Sequence, residues 1–187
     1  MLSIPFLKTT AKARTQRPPE TVRPDPGKTL DEARAALRER NPQRALNLLA
    51  PLINAGDAPD ETRLLAGRAL AALERYPEAL EHLEMYVAAN PDSVKGLLCA
   101  GLVAASAREI AKAVDWFNRA ARALGGRARA ILEPLMNAEQ PDPVAIEEMV
   151  ADVESHPEDR DRALALACAL GRAGHFRAVE RFLPVLD

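Results

Sequence analysis

The sequence predicts an all-α solenoid of about five helix pairs, and three observations carry that prediction. Apolar residues fill 48% of the 187 positions, yet aromatics only 4%, and the apolar share is mostly Ala and Leu, which favours helices over sheets. Key residues recur 34 positions apart, the length of a helix-turn-helix repeat. Prolines fall at the ends of helix-spaced apolar segments, where they stop one helix or start the next.

The period is plain when neighbours are put in register. Ala45, Ala79 and Ala113 are spaced by 34, and Leu49, Leu83 and Phe117 follow each of them by four. Upstream lie the small residues Ala33, Gly67 and Gly101, and then Ala36, Leu70 and Ala104. Such agreement across three copies is a property of repeated structure rather than of composition.

Taken in order, the chain opens with "MLSIPFLKTTAKARTQRPP", which has no acid before Glu20 but carries Lys8, Lys12, Arg14 and Arg17. Its apolar patch precedes the charges and is broken by Pro5, the wrong order for a secretory signal. Residues 1–25 are expected to be a disordered basic tail, with an organellar transit peptide as the alternative. The second copy shows the unit best. "DETRLLAGRALAALE" (Asp60–Glu74) has helical apolar spacing, and a turn follows near Arg75 to Pro77. A second helix then runs to about Ala89, and "NPDS" closes the unit at Pro91. Small residues at Gly67 and Ala79 let the two helices approach closely as antiparallel neighbours.

This spacing, with a small residue at position eight of the unit, Ala at twenty and Pro at thirty-two, resembles the tetratricopeptide repeat. The resemblance covers Pro26 to Asp187 and implies a right-handed α-solenoid with units 26–59, 60–93, 94–125, 126–159 and 160–187. The fourth is a poor copy: Ala145 and Pro157 are in register, but Glu133 holds the small position and Pro134 falls inside the first helix. The fifth recovers the pattern with Ala167, Leu170, Gly174, Phe176 and Leu183.

Catalytic chemistry finds little to stand on. His82 has no second His four residues on, and the register turns Leu80, Leu83 and Val87 inward while His82, Glu78, Glu81 and Glu84 fall on a solvated outer face. His156 stands at a helix end before Pro157, and His175 in the turn of the fifth unit. Cys99 and Cys168 form no CxxC pair and read as the reduced, buried thiols of a cytoplasmic protein. Gly125-Gly126 lacks the ending of a phosphate-binding loop, and no GxSxG motif occurs. The expectation is a protein without catalytic residues, metal or cofactor. A net charge of −2, with no repeated polar base-reading positions, argues against nucleic acid. No run approaches the roughly 18 apolar residues of a membrane span. The Ala- and Arg-rich composition suggests a bacterial origin.

In such arrays the first helix of each unit lines a concave groove that binds a peptide. The resemblance assigns to it Leu30, Arg34, Leu37 and Arg38, then Leu64, Arg68 and Ala71, and then Lys95, Leu98, Leu102 and Ala105. Arg127 and Asn137, and finally Leu164, Cys168 and Arg172, complete the set. Apolar residues with dispersed arginines fit an amphipathic or acidic segment of a partner protein. The Lys and Asn residues that clamp chaperone C-termini in one subtype are replaced here by Leu30, Arg34, Arg68, Leu98 and Leu102. The resemblance implies a scaffold, adaptor or co-chaperone. A secretion chaperone is the alternative, as is a scaffold that self-associates through the apolar C-terminal "FRAVERFLPVLD".

Overall fold

The computed structural model describes residues 25–56, 58–136 and 142–181, so the expected tail at 1–24 and the end at 182–187 lie outside the described residues. Among the described residues ten helices follow one another: α1 Pro26–Arg38, α2 Pro42–Ala55, α3 Asp60–Ala72, α4 Tyr76–Ala89, α5 Val94–Ser106, α6 Ile110–Ala123, α7 Gly126–Met136, α8 Pro143–Ser155, α9 Arg160–Arg172 and α10 Phe176–Val179. Among the described residues there is no strand. Starts are written in the sequence. The side chains of Asp25, Asn41, Ser93, Asp142 and Asp159 each accept a hydrogen bond from a first-turn N–H, and proline stands in the first turn of α1, α2, α4 and α8.

The turn inside the pairs α1–α2, α3–α4, α5–α6 and α9–α10 repeats atom for atom. The N–H groups of Asn41, Arg75, Glu109 and His175 donate to the carbonyls of Ala36, Leu70, Ala104 and Leu170 at 2.8, 3.0, 2.8 and 2.9 Å. This is the Schellman closure, which needs a left-handed residue just before the donor. Arg40, Glu74 and Arg108 supply it at φ 56°, 59° and 65°, and Gly174 at 81°. The three non-glycine positions are 34 residues apart, as the repeat requires.

Close helix approach follows from the small residues. A Cβ placed on Gly67 would come within 2.6 Å of the Leu83 side chain and 3.2 Å of the Ala79 carbonyl oxygen. Gly101 would likewise meet Phe117 at 2.9 Å. The pairs α1–α2, α3–α4 and α5–α6 stack in sequence, each second helix also packing on the next first helix.

The fourth unit departs from the expected hairpin. Helices α7 and α8 hardly touch each other, and both lie against α9. It is α9 that packs on α6 and reaches α5, taking the place a fourth stacked first helix would have, with α10 as its partner. The physical reason sits at Phe117 on α6. Its ring is pressed between Gly101 and Gly171 and stacks on Phe176 of α10 with centroids 5.8 Å apart. Glu133 at the small position of α7 is exposed and leaves no such seat. Arg172 completes the dock: its Nε donates to Asn118 Oδ1 at 3.0 Å and its Nη1 to the Leu135 carbonyl at 3.1 Å, joining α9 to α6 and α7.

Candidate functional site

Helices α1, α3 and α5 run side by side, and hollows lie along the face they share. The first hollow, about 230 Å³, is lined by Arg34, Leu37, Arg38, Glu61, Arg68 and Lys95. The second, about 540 Å³, is more apolar: Ala71, Ala72, Tyr76, Cys99, Leu102 and Val103 form much of its wall. Arg68 borders both, so the two adjoin. Arg40, Ser106 and Glu180 complete the second hollow. A third, about 390 Å³, lies where α5 meets α10; it shares Tyr76, Leu102, Ser106 and Glu180 with the second and adds Arg108 and Phe176. The result is a channel across α1, α3, α5 and α10, cationic at one end and apolar in the middle.

The structure places the predicted groove residues in different surroundings. Arg34, Arg38, Arg68 and Lys95 share the first hollow, with Leu37 among them. Ala71 and Leu102 enter the second, and Ala105 the third. Leu30, Leu64 and Leu98 do not offer groove surface: all three are buried, because stacking of neighbouring units covers them. Arg172 lies apart from these hollows and joins α9 to Asn118 and Leu135. Cys168 is fully buried, Leu164 packs against the core, and Arg127 pairs with Asp159 at 2.9 Å. Asn137 lies outside the described residues.

Arg34 also holds the scaffold. Its Nε and Nη2 reach the Glu61 carboxylate at 3.2 and 2.5 Å, and its Nη1 reaches Asp31, tying α1 to α3. The Glu61 hydrogen bond raises the guanidinium pKa, so this charge is fixed. Sequence reasoning missed Tyr76, Val103, Arg40, Arg108 and Glu180. Three of these, Val103, Arg40 and Arg108, belong to first-helix ends and turns, and Arg40 and Arg108 occupy the same left-handed turn position.

Two side chains of α4 have unusual surroundings. His82 is half-buried rather than on a solvated face, with its Nδ1 buried and without a hydrogen-bond partner. Burial and the nearby Arg63 charge lower its pKa against the pull of Glu81 and Glu78. Tyr86 is accommodated by Gly96: a Cβ there would stand 2.5 Å from the ring, and the Tyr86 hydroxyl pairs with Ser93 Oγ at 3.1 Å. Among the described residues no three His, Cys, Asp or Glu side chains gather as metal ligands would. None of the described helices is long and apolar enough to cross a membrane.

The tetratricopeptide repeat family model matches residues 30–94 and again 64–128, together more than half of the chain. This protein belongs to the tetratricopeptide repeat family. The matches span the three pairs that stack in sequence and end where α7 begins to depart. No curated protein sequence matches the chain. Among solved structures, the MamA RS-1 ArsTM double mutant superposes with a TM-score of 0.50 at 20% identity, covering 88% of this chain and 94% of that one. At that identity the likeness is one of fold. Tetratricopeptide repeats are protein-interaction modules, and this chain is a scaffold of that general kind.

Proposed function

We propose that this tetratricopeptide repeat protein is a non-catalytic adaptor or co-chaperone that holds a peptide segment of a partner protein in the channel across α1, α3, α5 and α10. The observation that supports the reading is the convergence of Arg34, Arg38, Arg68 and Lys95 on one hollow that opens into an apolar one. Cations beside an apolar wall suit an acidic or amphipathic segment, gripped by charge-assisted hydrogen bonds and side-chain burial. The cytoplasm is the proposed compartment, supported by two buried cysteines, Cys99 and Cys168, that form no disulfide and lie on separate helices.

The test is affinity capture with wild type beside an Arg38→Glu/Arg68→Glu variant and a Glu147→Lys control on the exposed face of α8. Partners retained by wild type and control but lost by the channel variant support the reading. Recovery of the same partners by all three sinks it. Circular dichroism on each variant confirms that the helices persist.

A further inference from the structure

The helices divide into two bodies. Helices α1 to α6 stack in sequence, whereas α7, α8 and α10 each pack on α9. The bodies meet mainly where α9 lies on α6, with smaller contacts of α9 and α10 on α5 and of α7 on α6. Only Leu124 and Gly125 separate the end of α6 from the start of α7. Gly126, the first residue of α7, has a φ of 53°, which favours glycine. Gly125 lies outside the left-handed region, and a Cβ there would meet nothing within 4 Å. Neither crowding nor backbone conformation calls for glycine at 125, so what it supplies is freedom at a junction.

The seat between the bodies is made of a few matched groups. Phe117 and Asn118 of α6 stand on one side, and Gly171, Arg172 and Phe176 on the other. Phe117 is fully buried there. Swinging α7–α10 away about Gly125 and Gly126 would strip its ring of both Gly171 and Phe176. An open chain thus carries a bare aromatic seat and, on the same molecule, the helix pair that fits it. A second open copy satisfies both at once, with the contacts of the closed chain and a change only at the junction. Short connections favour this outcome, because they leave little chain with which to fold back.

We infer that two copies of the chain exchange α7–α10, each α9 seating on Phe117 of the other copy. The consequence reaches the channel, whose third hollow is lined by Tyr76, Leu102, Ala105 and Arg108 together with Phe176 and Glu180. In the exchanged dimer the first four come from one copy and the last two from the other, so each channel is completed by its partner. The exchange does not depend on what the channel holds, and its failure leaves the channel reading standing.

The test uses the full chain. Light scattering from about 1 to about 200 μM should show a dimer that grows with concentration. Connectivity is read in an Asn118→Cys/Arg172→Cys variant that also carries Cys99→Ala and Cys168→Ala, because the Asn118 and Arg172 side chains meet across the seat. A short bismaleimide applied to its dimer fraction should join two different chains, as denaturing mass spectrometry would show. Inserting about ten Gly-Ser residues between Gly125 and Gly126 should let each chain close on itself and weaken dimerisation about tenfold. Links within single chains of the dimer fraction overturn the exchange. A wild type that is monomeric at every concentration, or a dimer indifferent to the insertion, overturns it as well. If the cysteine variant does not dimerise, the insertion decides alone.

Discussion

A methyl group on Gly171 would stand 2.2 Å from Cδ1 of Phe117, closer than at any other described glycine. Phe117 cannot withdraw, because Gly101 presses on the opposite side and Phe176 stacks on it. Helix propensity alone favours Ala over Gly by about 1 kcal/mol. The overlap nonetheless wins: Gly171→Ala is expected to destabilise by about 1–3 kcal/mol. Phe117→Ala should cost about 3–5 kcal/mol. Urea denaturation reads both, and a gain in midpoint for Gly171→Ala would show that α9 is not seated on Phe117.

Tyr86 and Gly96 form a second matched pair, and a double-mutant cycle isolates it. Gly96→Ala should destabilise the wild type, because its new methyl meets the tyrosine ring. In a Tyr86→Ala background the same change should be neutral or stabilising. A coupling energy of about 1–3 kcal/mol is expected. Additive effects would mean that the two side chains do not share space.

His82 predicts the pH dependence. Its folded pKa lies below the ordinary value of 6.5, so the folded state resists a proton that the unfolded chain accepts. Between those two values the unfolded state binds more protons, and stability falls as pH drops through 6.5 toward the folded value. Urea midpoints measured from pH 7.5 to 5 should decline, and His82→Gln should flatten the slope. An unchanged slope in that variant would assign the effect elsewhere.

The thiols should respond differently to reagents. Burial pushes Cys168 up to about 12, so it holds little thiolate at neutral pH. Cys99 borders the apolar hollow while being largely covered. A thiol-reactive dye at pH 8 should label Cys99 slowly and Cys168 only in denaturant, as mass spectrometry of the digest would show. A peptide that fills the channel should slow Cys99 labelling further. Labelling of Cys168 in the native state would contradict its burial.

Much of the fold was legible because the repeat is written in residues whose roles are local. Ala36, Leu70 and Ala104 carry the turn carbonyls, Gly67 and Gly101 allow close approach, and prolines mark helix starts. That Arg34, Arg38 and Arg68 line one hollow also follows from their shared first-helix register. What escaped depends on contacts between distant segments. Leu30, Leu64 and Leu98 share that register but are covered by neighbouring units. Arg172 also has a groove position, yet α9 docks on α6 and its guanidinium finds Asn118 and Leu135. A 34-residue period cannot announce that one copy will stand aside.

The displaced α7 and α8 change how the array assembles. In a regular solenoid each unit folds onto the one just made, so order spreads between sequence neighbours. Here α9 gains its seat on Phe117 only after residues 124–159 have been looped out, and closing that loop costs entropy before any contact rewards it. The last hairpin is therefore expected to fold latest and open first, and with it goes the end of the channel that Phe176 and Glu180 define. Access to the channel and the integrity of the chain's final turns are thereby one equilibrium.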